Sequence, residues 1–185
     1  MKTIILKHHK IYCRFDIQKR HINHKGEFVI TAGLSNNGVL GQSDIKAKVF
    51  ESHTITIDMF GCTFYRSFPY KMVTHARVFS LKPKFEINHK IGLFLSTLFF
   101  DYPKKFGYEN MCSWVKIKND KVILPLKPTA KTQTLDGIDF HFMRTLINAL
   151  MKQIIQGVVQ YCGTKIQATK EIISQETPVQ KDSLF

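Results

Sequence analysis

The sequence has little of what marks a secreted, membrane-spanning or zinc-binding protein. Its four cysteines stand singly at positions 13, 62, 112 and 162, with no CxxC pair and no clustered histidine partner. This spacing indicates neither a zinc site nor a disulfide framework. Residues 3–6 form too short an apolar stretch for a secretory signal. The longest apolar run, residues 91–100, is about half of what a bilayer crossing needs. We therefore expect a soluble cytoplasmic protein with reduced thiols and no membrane partner.

Acidic residues are also scarce. There are 14 Asp and Glu against 27 Lys and Arg, which gives a net charge of +13. Such a surplus indicates a polyanionic partner, because each Lys or Arg bound to a phosphate releases counterions. Charge alone does not separate DNA from RNA or an anionic membrane. Apolar residues make up 44% of the 185 positions, including 15 Phe, which predicts one well-filled domain or one domain with an appendage.

Motifs that indicate catalysis are missing from the sequence. It contains no GxGxxG after a strand, no GxxxxGK[ST] loop, no GxSxG elbow and no HExxH. Asp44, Lys46 and Asp58 could begin a metal-dependent nuclease core, but no second acid is marked beside them. His21 and His24 have HxxH spacing without a third ligand. We therefore predict no enzymatic activity, no cofactor and no metal site.

The pattern of short apolar segments predicts a mixed α+β domain. We predict strands at 28–33 and 39–41 on either side of an SNNG turn, a half-buried strand at 53–61 and its hairpin partner at 62–68. Further strands are predicted at 75–83 and 121–126, a short buried helix at 88–100 and a loop at 102–114. Strands and helices that do not alternate regularly favour α+β over a doubly wound sheet.

Helical periodicity takes over near the C-terminus, after a linker at 127–137. Asp139 is placed to cap a helix that runs to about residue 175. Gly157 and Gly163 each weaken that helix by about 1 kcal/mol, so a break there is an alternative. Its apolar residues recur at steps of three to five and predict a second helix packed on them. They include Met143, Ile147, Leu150, Ile154, Val158 and Tyr161.

Aromatic and basic residues interleave in the strands and loop that precede the linker. Arg can bind a guanine edge with two hydrogen bonds, Asn can do so with adenine, and Lys mostly contacts phosphate. The alternative is that Tyr65 and Arg77 pack across strands and that the loop lysines are simply solvated. The candidate DNA contacts are Tyr65, Arg66, Lys71, His75, Arg77, Lys104, Lys105, Tyr108, Asn110 and Lys116.

Five segments, taken in order, resemble a known family. They are ITAGLSNNGVLGQSD (30–44), ITIDMFGCTFYR (55–66), HARVFSLKP (75–83), KKFGYENMCSW (104–114) and KVILPLK (121–127). Together they are similar to a target recognition domain of type I restriction–modification DNA specificity subunits and their relatives. The resemblance covers roughly residues 27–155.

The resemblance implies a recognition domain followed by a long helix. Such subunits normally carry two of these units, whose helices pack antiparallel as a spacer between two DNA half-sites. They bring methyltransferase and nuclease subunits to the site and have no chemistry of their own. This chain has one unit and lacks the usual opening strand, so it would dimerise through its helix as an antiparallel coiled coil or pair with another half.

From these observations we predict a target recognition domain at 1–136, a dimerisation and docking helix at 137–175 and a flexible tail at 176–185. The expected function is non-catalytic recognition of a double-stranded DNA half-site for methyltransferase and, in some systems, restriction subunits. The expected assembly is a homodimer. The alternative that the resemblance leaves open is an interaction protein that masks a toxic nuclease of the kind that cuts transfer RNA.

Overall fold

The computed structural model describes residues 6–9, 15–17, 19–131 and 134–176. The chain divides into two compact units, Met1–Ile147 and Asn148–Phe185. Within these described residues, the first unit contains two sheets and three short α-helices, and the second contains most of one long helix. The predicted mixed α+β fold is confirmed.

In the described part of the chain, seven strands form two sheets in the first unit. One sheet has the order β1-β7-β4-β5 and is antiparallel throughout; the other has the order β3-β2-β6 and pairs β2 with β6 in parallel. The strands are β1 Leu6–His9, β2 Glu27–Ile30, β3 Val39–Ser43, β4 Thr54–Ile57, β5 Thr63–Arg66, β6 Tyr70–Met72 and β7 Phe79–Pro83.

The predicted hairpin at 53–68 is confirmed as the antiparallel pair β4–β5, but the predicted half-burial of its first strand is wrong. All four residues of β4 are buried, because β4 lies inside its sheet and is covered on both faces. Ile55 and Ile57 join the apolar core. On the other face, Thr54 shares a hydrogen bond of 2.8 Å with the hydroxyl of Tyr70. Buried hydroxyls are accommodated in this way when they have partners.

The turn predicted at SNNG is also confirmed. Residues Ser35–Gly38 form a 3-10 turn between β2 and β3, with Asn36 at φ 47° and Asn37 at φ 52°. Asparagine tolerates this left-handed region better than most residues, because its short polar side chain bonds to nearby backbone. Here the Asn36 amide donates to the carbonyl of Val39 at 3.0 Å.

Three strand predictions need correction. Residues Tyr70–Met72 form β6, which the sequence analysis missed. The strand predicted at 75–83 begins only at Phe79, because residues before it form a turn in which Arg77 has φ 49°. Residues Leu6–His9 form an opening strand that pairs with β7. From the sequence we had expected this strand to be missing.

Two further predictions fail between residues 102 and 126. The predicted loop contains two short helices, α2 Tyr102–Lys105 and α3 Trp114–Ile117. Pro103 suits the first turn of α2, where no backbone donor is required. The predicted strand at 121–126 is reduced to one bridge between Leu126 and Ile138, because Pro125 cannot donate to a ladder.

The predicted buried helix is confirmed as α1, His89–Thr97. Asn88 caps it by accepting a hydrogen bond of 3.0 Å from the backbone N–H of Ile91. Gly92 faces the ring of Tyr65 so closely that a Cβ built there would lie 2.2 Å from a ring carbon. Glycine is therefore needed at this position for α1 to lie against β5.

The long helix α4, Phe140–Glu176, is continuous through Gly157 and Gly163. As predicted, Asp139 caps it, and its carboxylate accepts a hydrogen bond of 2.8 Å from the N–H of Phe142. Residues 177–185 of the predicted tail lie outside the described residues. No helix among the described residues is long and apolar enough to cross a membrane.

Lys71 connects the strands of the second sheet. Its buried ammonium donates to the carbonyls of Ser43 at 2.9 Å and Ile45 at 2.8 Å, and it pairs with the carboxylate of Glu27 at 2.9 Å. The hydrogen bond from Lys71 holds the pKa of Glu27 below its ordinary value of 4.5. Lys71 thus has a structural role.

We predict that Gly92→Ala lowers the free energy of unfolding by about 1–3 kcal/mol, the usual cost of overpacking. Urea unfolding measures the change. Gly107→Ala is the matched control, because a Cβ there meets nothing within 4 Å. Equal stability of the two variants would contradict the close packing of α1 on Tyr65.

We also predict that Glu27→Gln removes an acid-sensitive part of the stability. A lowered carboxyl pKa stabilises the fold above the unfolded-state pKa, and the stabilisation is lost as the pH falls through the folded-state value. The variant should be less stable than the parent at neutral pH and converge with it below pH 4.5. Urea unfolding over that range tests this, with the exposed Glu86→Gln as control; parallel curves for parent and Glu27→Gln would refute it.

Candidate nucleic-acid interface

Three of the predicted DNA contacts meet in one cleft. We name it the Arg77 cleft; its volume is about 480 Å³. It brings together Arg77 from the turn before β7 and Tyr108 and Lys116 from the segment around α3. Its lining residues are Arg77, Phe79, Tyr108, Glu109, Met111, Cys112, Ser113, Trp114 and Lys116.

Arg77 and Tyr108 present their side chains to solvent at this cleft. Arg77 is exposed, and its left-handed turn is closed by a hydrogen bond of 3.1 Å from its N–H to the carbonyl of Thr74. Tyr108 is 78% exposed and rests edge-on against Phe60, with ring centres 5.0 Å apart. An exposed guanidinium beside an exposed aromatic ring suits contact with a nucleic acid.

Lys116 is fixed by its own loop. Its ammonium donates to the side-chain oxygen of Asn110 at 2.6 Å and to the carbonyl of Met111 at 2.8 Å. The Asn110 amide in turn donates to the carbonyl of Lys105 at 2.9 Å. Asn110 thus positions a basic loop, and its amide is already engaged on both sides.

Lys104 and Lys105 belong to α2 and are exposed. Lys104 lies 3.3 Å from the carboxylate of Asp101, and the ammonium of Lys105 lies 5.9 Å from the centre of the Tyr102 ring. Both contacts are weak in water, so both charges remain available to a polyanion.

The Tyr102 hydroxyl donates to Asp120 at 2.5 Å, which joins α2 to the chain beyond α3. Burial raises the pKa of this phenol, so it stays protonated and keeps the bond at any physiological pH. The two short helices are therefore joined through a buried side chain, and the basic loop between them has a fixed frame.

His75 is exposed but lies outside the Arg77 cleft. Its Nδ1 lies 2.8 Å from the carboxylate of Asp16, and its backbone N–H donates to the same oxygen at 3.0 Å. This residue holds the 15–17 segment against the turn before β7.

A second cleft, which we name the Arg66 cleft, has a volume of about 510 Å³. It lies among the SNNG turn, the strand β5 and the helix α1. Its lining residues are Phe28, Asn36, Asn37, Val39, Thr63, Phe64, Tyr65, Arg66, Phe68, Leu93 and Ser96.

Arg66 and Tyr65 line the Arg66 cleft but differ from the exposed residues of the first cleft. Arg66 is only 2% exposed, and burial lowers the pKa of its guanidinium to about 10, so it remains charged at neutral pH. Its Nε donates to the hydroxyl of Thr56 at 2.9 Å. The Tyr65 hydroxyl shares a hydrogen bond of 2.6 Å with Nδ1 of His53.

Asp58 has a role that the sequence analysis did not find. Its buried carboxylate accepts hydrogen bonds from the N–H groups of Gly33 at 2.6 Å and of Phe60 and Cys62 at 2.9 Å each. These bonds occupy the oxygens that a metal would need. The spacing of Asp58 before Gly61 is the sequence signal for such a turn.

Elsewhere in the described residues, we find little that supports a metal site or a reactive buried thiol. No group of three or more His, Cys, Asp or Glu among them could hold a metal ion. Burial raises the pKa of the Cys62 thiol to about 11 and that of Cys112 to about 12. Both thiols are therefore protonated at neutral pH.

Of the predicted helix contacts, two are not available to a partner. Met143 and Ile147 are buried in the first unit. The exposed part of the predicted seam therefore begins one turn later, with Leu150, Ile154, Val158 and Tyr161.

Comparisons with protein families and with solved structures each give a match. A family model described as the type I restriction modification DNA specificity domain matches residues 10–160. The structure of a type I restriction–modification system S subunit from M. genitalium aligns at 18% identity and a TM-score of 0.41. The alignment covers 89% of this chain and 42% of that subunit, so the chain spans less than half of the subunit's length.

A comparison with curated protein sequences finds no significant match. The family model, in contrast, covers well over half of the 185 residues. The chain belongs to the family of type I restriction–modification DNA specificity domains.

Proposed function

We propose that this chain binds double-stranded DNA through the Arg77 cleft and its basic rim, and so recognises one half-site. The family is a non-catalytic DNA specificity domain. The observation that carries the assignment to this cleft is the meeting of Arg77, Tyr108 and Lys116 in it. Arg77 is the candidate base reader, since an exposed guanidinium can bond the O6 and N7 atoms of guanine in the major groove.

The lysines around the cleft supply the affinity that does not depend on sequence. Lys104, Lys105 and Lys116 are exposed and lie on the segment that lines or borders the cleft. Each phosphate contact by such a residue releases a counterion, which favours binding and makes it sensitive to salt. The net charge of +13 supports the same function.

Five of the ten candidate DNA contacts leave this set, among them Tyr65, whose hydroxyl is bonded to His53. Lys71 is buried and bonded within the second sheet, and Arg66 is buried too deeply to enter the groove of a duplex. His75 and Asn110 position backbone segments beside the cleft. The DNA contacts that we retain are Arg77, Lys104, Lys105, Tyr108 and Lys116.

For the helix, we propose that its exposed apolar face packs antiparallel against the helix of a second copy and also docks a methyltransferase subunit. One stripe contains Leu150, Ile154, Val158 and Tyr161, and a second contains Met151, Ile155, Val159 and Ile166; all eight are exposed. At 100° per residue the two stripes together span about half of the helix circumference. A single partner helix covers a narrower seam, so the width supports two neighbours.

We propose that residues 1–136 form the recognition domain of a cytoplasmic protein. Residues 137–175 form the dimerisation and docking helix, and residues 176–185 form a tail.

Affinity capture of the tagged chain, with mass spectrometry, tests the partners. We expect a DNA methyltransferase subunit in near-stoichiometric yield. An RNA nuclease captured without a methyltransferase would instead favour the masking function.

We predict that Lys116→Ala reduces the slope of log K against log salt concentration by about 0.9 per bound protomer, where K is the association constant for DNA. Arg77→Ala should lower the difference in binding free energy between duplexes of different sequence by about 1–3 kcal/mol. Duplexes selected from a random pool by the parent protein provide the ligand, and fluorescence anisotropy measures the affinity. Lys152→Ala, on the helix, is the charge-matched control. If all three variants bind as the parent does, the Arg77 cleft is not the DNA interface.

We further predict that Ile154→Asp raises the dimer dissociation constant at least about tenfold, because a carboxylate would have to be buried in the helix pair. Light scattering across a concentration series measures the mass in solution. Gln160→Asp introduces the same charge on the opposite, polar face of the helix and should leave the dimer intact. A parent protein that stays monomeric, or two variants that dissociate equally, would exclude this seam.

A further inference from the structure

Arg66 is a buried cation with most of its hydrogen-bonding capacity unused. It is 2% exposed; its Nε donates to Thr56 at 2.9 Å, and its guanidinium carbon lies 5.0 Å from the centre of the Phe64 ring. Within the part of the chain that the structure describes, its two terminal nitrogens have no hydrogen bond or ion pair. Buried donors are normally paired and Arg66 lines the Arg66 cleft, so these unpaired nitrogens point to a ligand there.

The walls of the Arg66 cleft suit a planar aromatic ring. Phe28 and Phe68 lie 4.6 Å apart by ring centres and line it together with Phe64 and Tyr65. Aromatic side chains hold nucleobases by stacking. The cleft volume of about 510 Å³ falls in the range of small-molecule sites.

Asn37 adds a second polar group to the same cleft. The SNNG turn brings Asn37 to the cleft wall with φ 52°. Its side-chain amide makes no hydrogen bond among the described residues, whereas the amide of Asn36 is engaged with Val39. The cleft therefore offers a donor-only fork from Arg66 and an amide from Asn37 that both donates and accepts.

From this arrangement we infer that the Arg66 cleft binds a guanine nucleotide. Guanine presents two acceptors, O6 and N7, that match a guanidinium fork, and its N1–H and amino groups can donate to the Asn37 amide. Adenine places an amino donor where guanine has O6, so it meets the donors of Arg66 unfavourably. No covalent step is involved.

The burial of Arg66 requires that this guanine be unpaired. A side chain that is 2% exposed cannot reach the edge of a base stacked within a duplex, so the base has to enter the cleft, as extruded bases enter the pockets of base-flipping enzymes. The guanine comes either from bound DNA or from a free nucleotide. Only the first source rests on the DNA binding proposed above.

Isothermal titration of the full chain with dGMP, dAMP and inorganic phosphate tests the inference. We expect dGMP to bind at least about tenfold more tightly than dAMP and phosphate to show no binding. Arg66→Lys keeps the charge but not the fork and should lose the preference for dGMP. Equal binding of dGMP and dAMP, or binding of phosphate alone, would overturn the guanine assignment, as would a failure of dGMP to bind.

Ser96→Trp provides a second variant that leaves Arg66 untouched. Ser96 lines the cleft and Thr97 does not, and both hydroxyls donate to the carbonyl three residues earlier in α1 at 2.7 Å. Ser96→Trp should fill the cleft and abolish dGMP binding, whereas Thr97→Trp should preserve it. Retention of dGMP binding in Ser96→Trp, with an unchanged unfolding midpoint, would show that the ligand binds elsewhere.

Binding to three DNA duplexes identifies the source of the guanine. One duplex has an unpaired guanine, one has an unpaired adenine, and one has all bases paired. Tighter binding of the guanine-containing duplex, lost in Ser96→Trp, assigns the site to an extruded base. Binding of dGMP with no preference among the duplexes assigns it to a free nucleotide. If fully paired duplex fails to bind but dGMP binds, the proposed DNA function fails and the guanine site stands.

Discussion

The carboxylate of Asp58 is the interaction on which both clefts depend. It accepts three backbone N–H groups, two from its own hairpin turn and one from Gly33 ahead of the SNNG turn. Several backbone donors bonded to one buried carboxylate hold the segments that supply them in a fixed geometry. This one group joins the β4–β5 hairpin of the first sheet to the β2–β3 connection of the second.

The same hairpin turn also fixes the position of the basic loop. Met59 accepts a hydrogen bond of 2.7 Å from the N–H of Cys112, and Phe60 packs against Tyr108. Gly61 lies so close to Tyr102 that a Cβ would come within 2.7 Å of its backbone. Residues 58–62 thus contact the segment that carries Tyr108 and Cys112 of the Arg77 cleft and, through Gly33, the connection that carries Asn36 and Asn37 of the Arg66 cleft.

This arrangement suits recognition rather than catalysis. The acid that could have served a metal is bonded to the backbone, and the two buried thiols are held protonated. Among the described residues, Arg77 and Tyr108 at one cleft, and Asn37 with the outer nitrogens of Arg66 at the other, have side-chain groups that make no hydrogen bond to the protein.

The features that could be predicted from the sequence alone are those that depend on neighbouring residues. The SNNG turn, the β4–β5 hairpin, the cap at Asn88 and the cap at Asp139 are local, because each rests on backbone preferences and on hydrogen bonds within a few residues. The long helix follows from its own periodicity. The family resemblance could also be identified from the sequence, because it rests on five short segments that occur in a fixed order along the chain.

Tertiary structure decided which of the candidate side chains are available to a ligand. Arg66 and Arg77 look alike in sequence, yet one is buried against Thr56 and the other is exposed beside Tyr108. Lys71 became part of the second sheet because Glu27, Ser43 and Ile45, all distant in sequence, converge on its ammonium. Burial and pairing depend on contacts between residues far apart in the chain, and local periodicity carries no information about them.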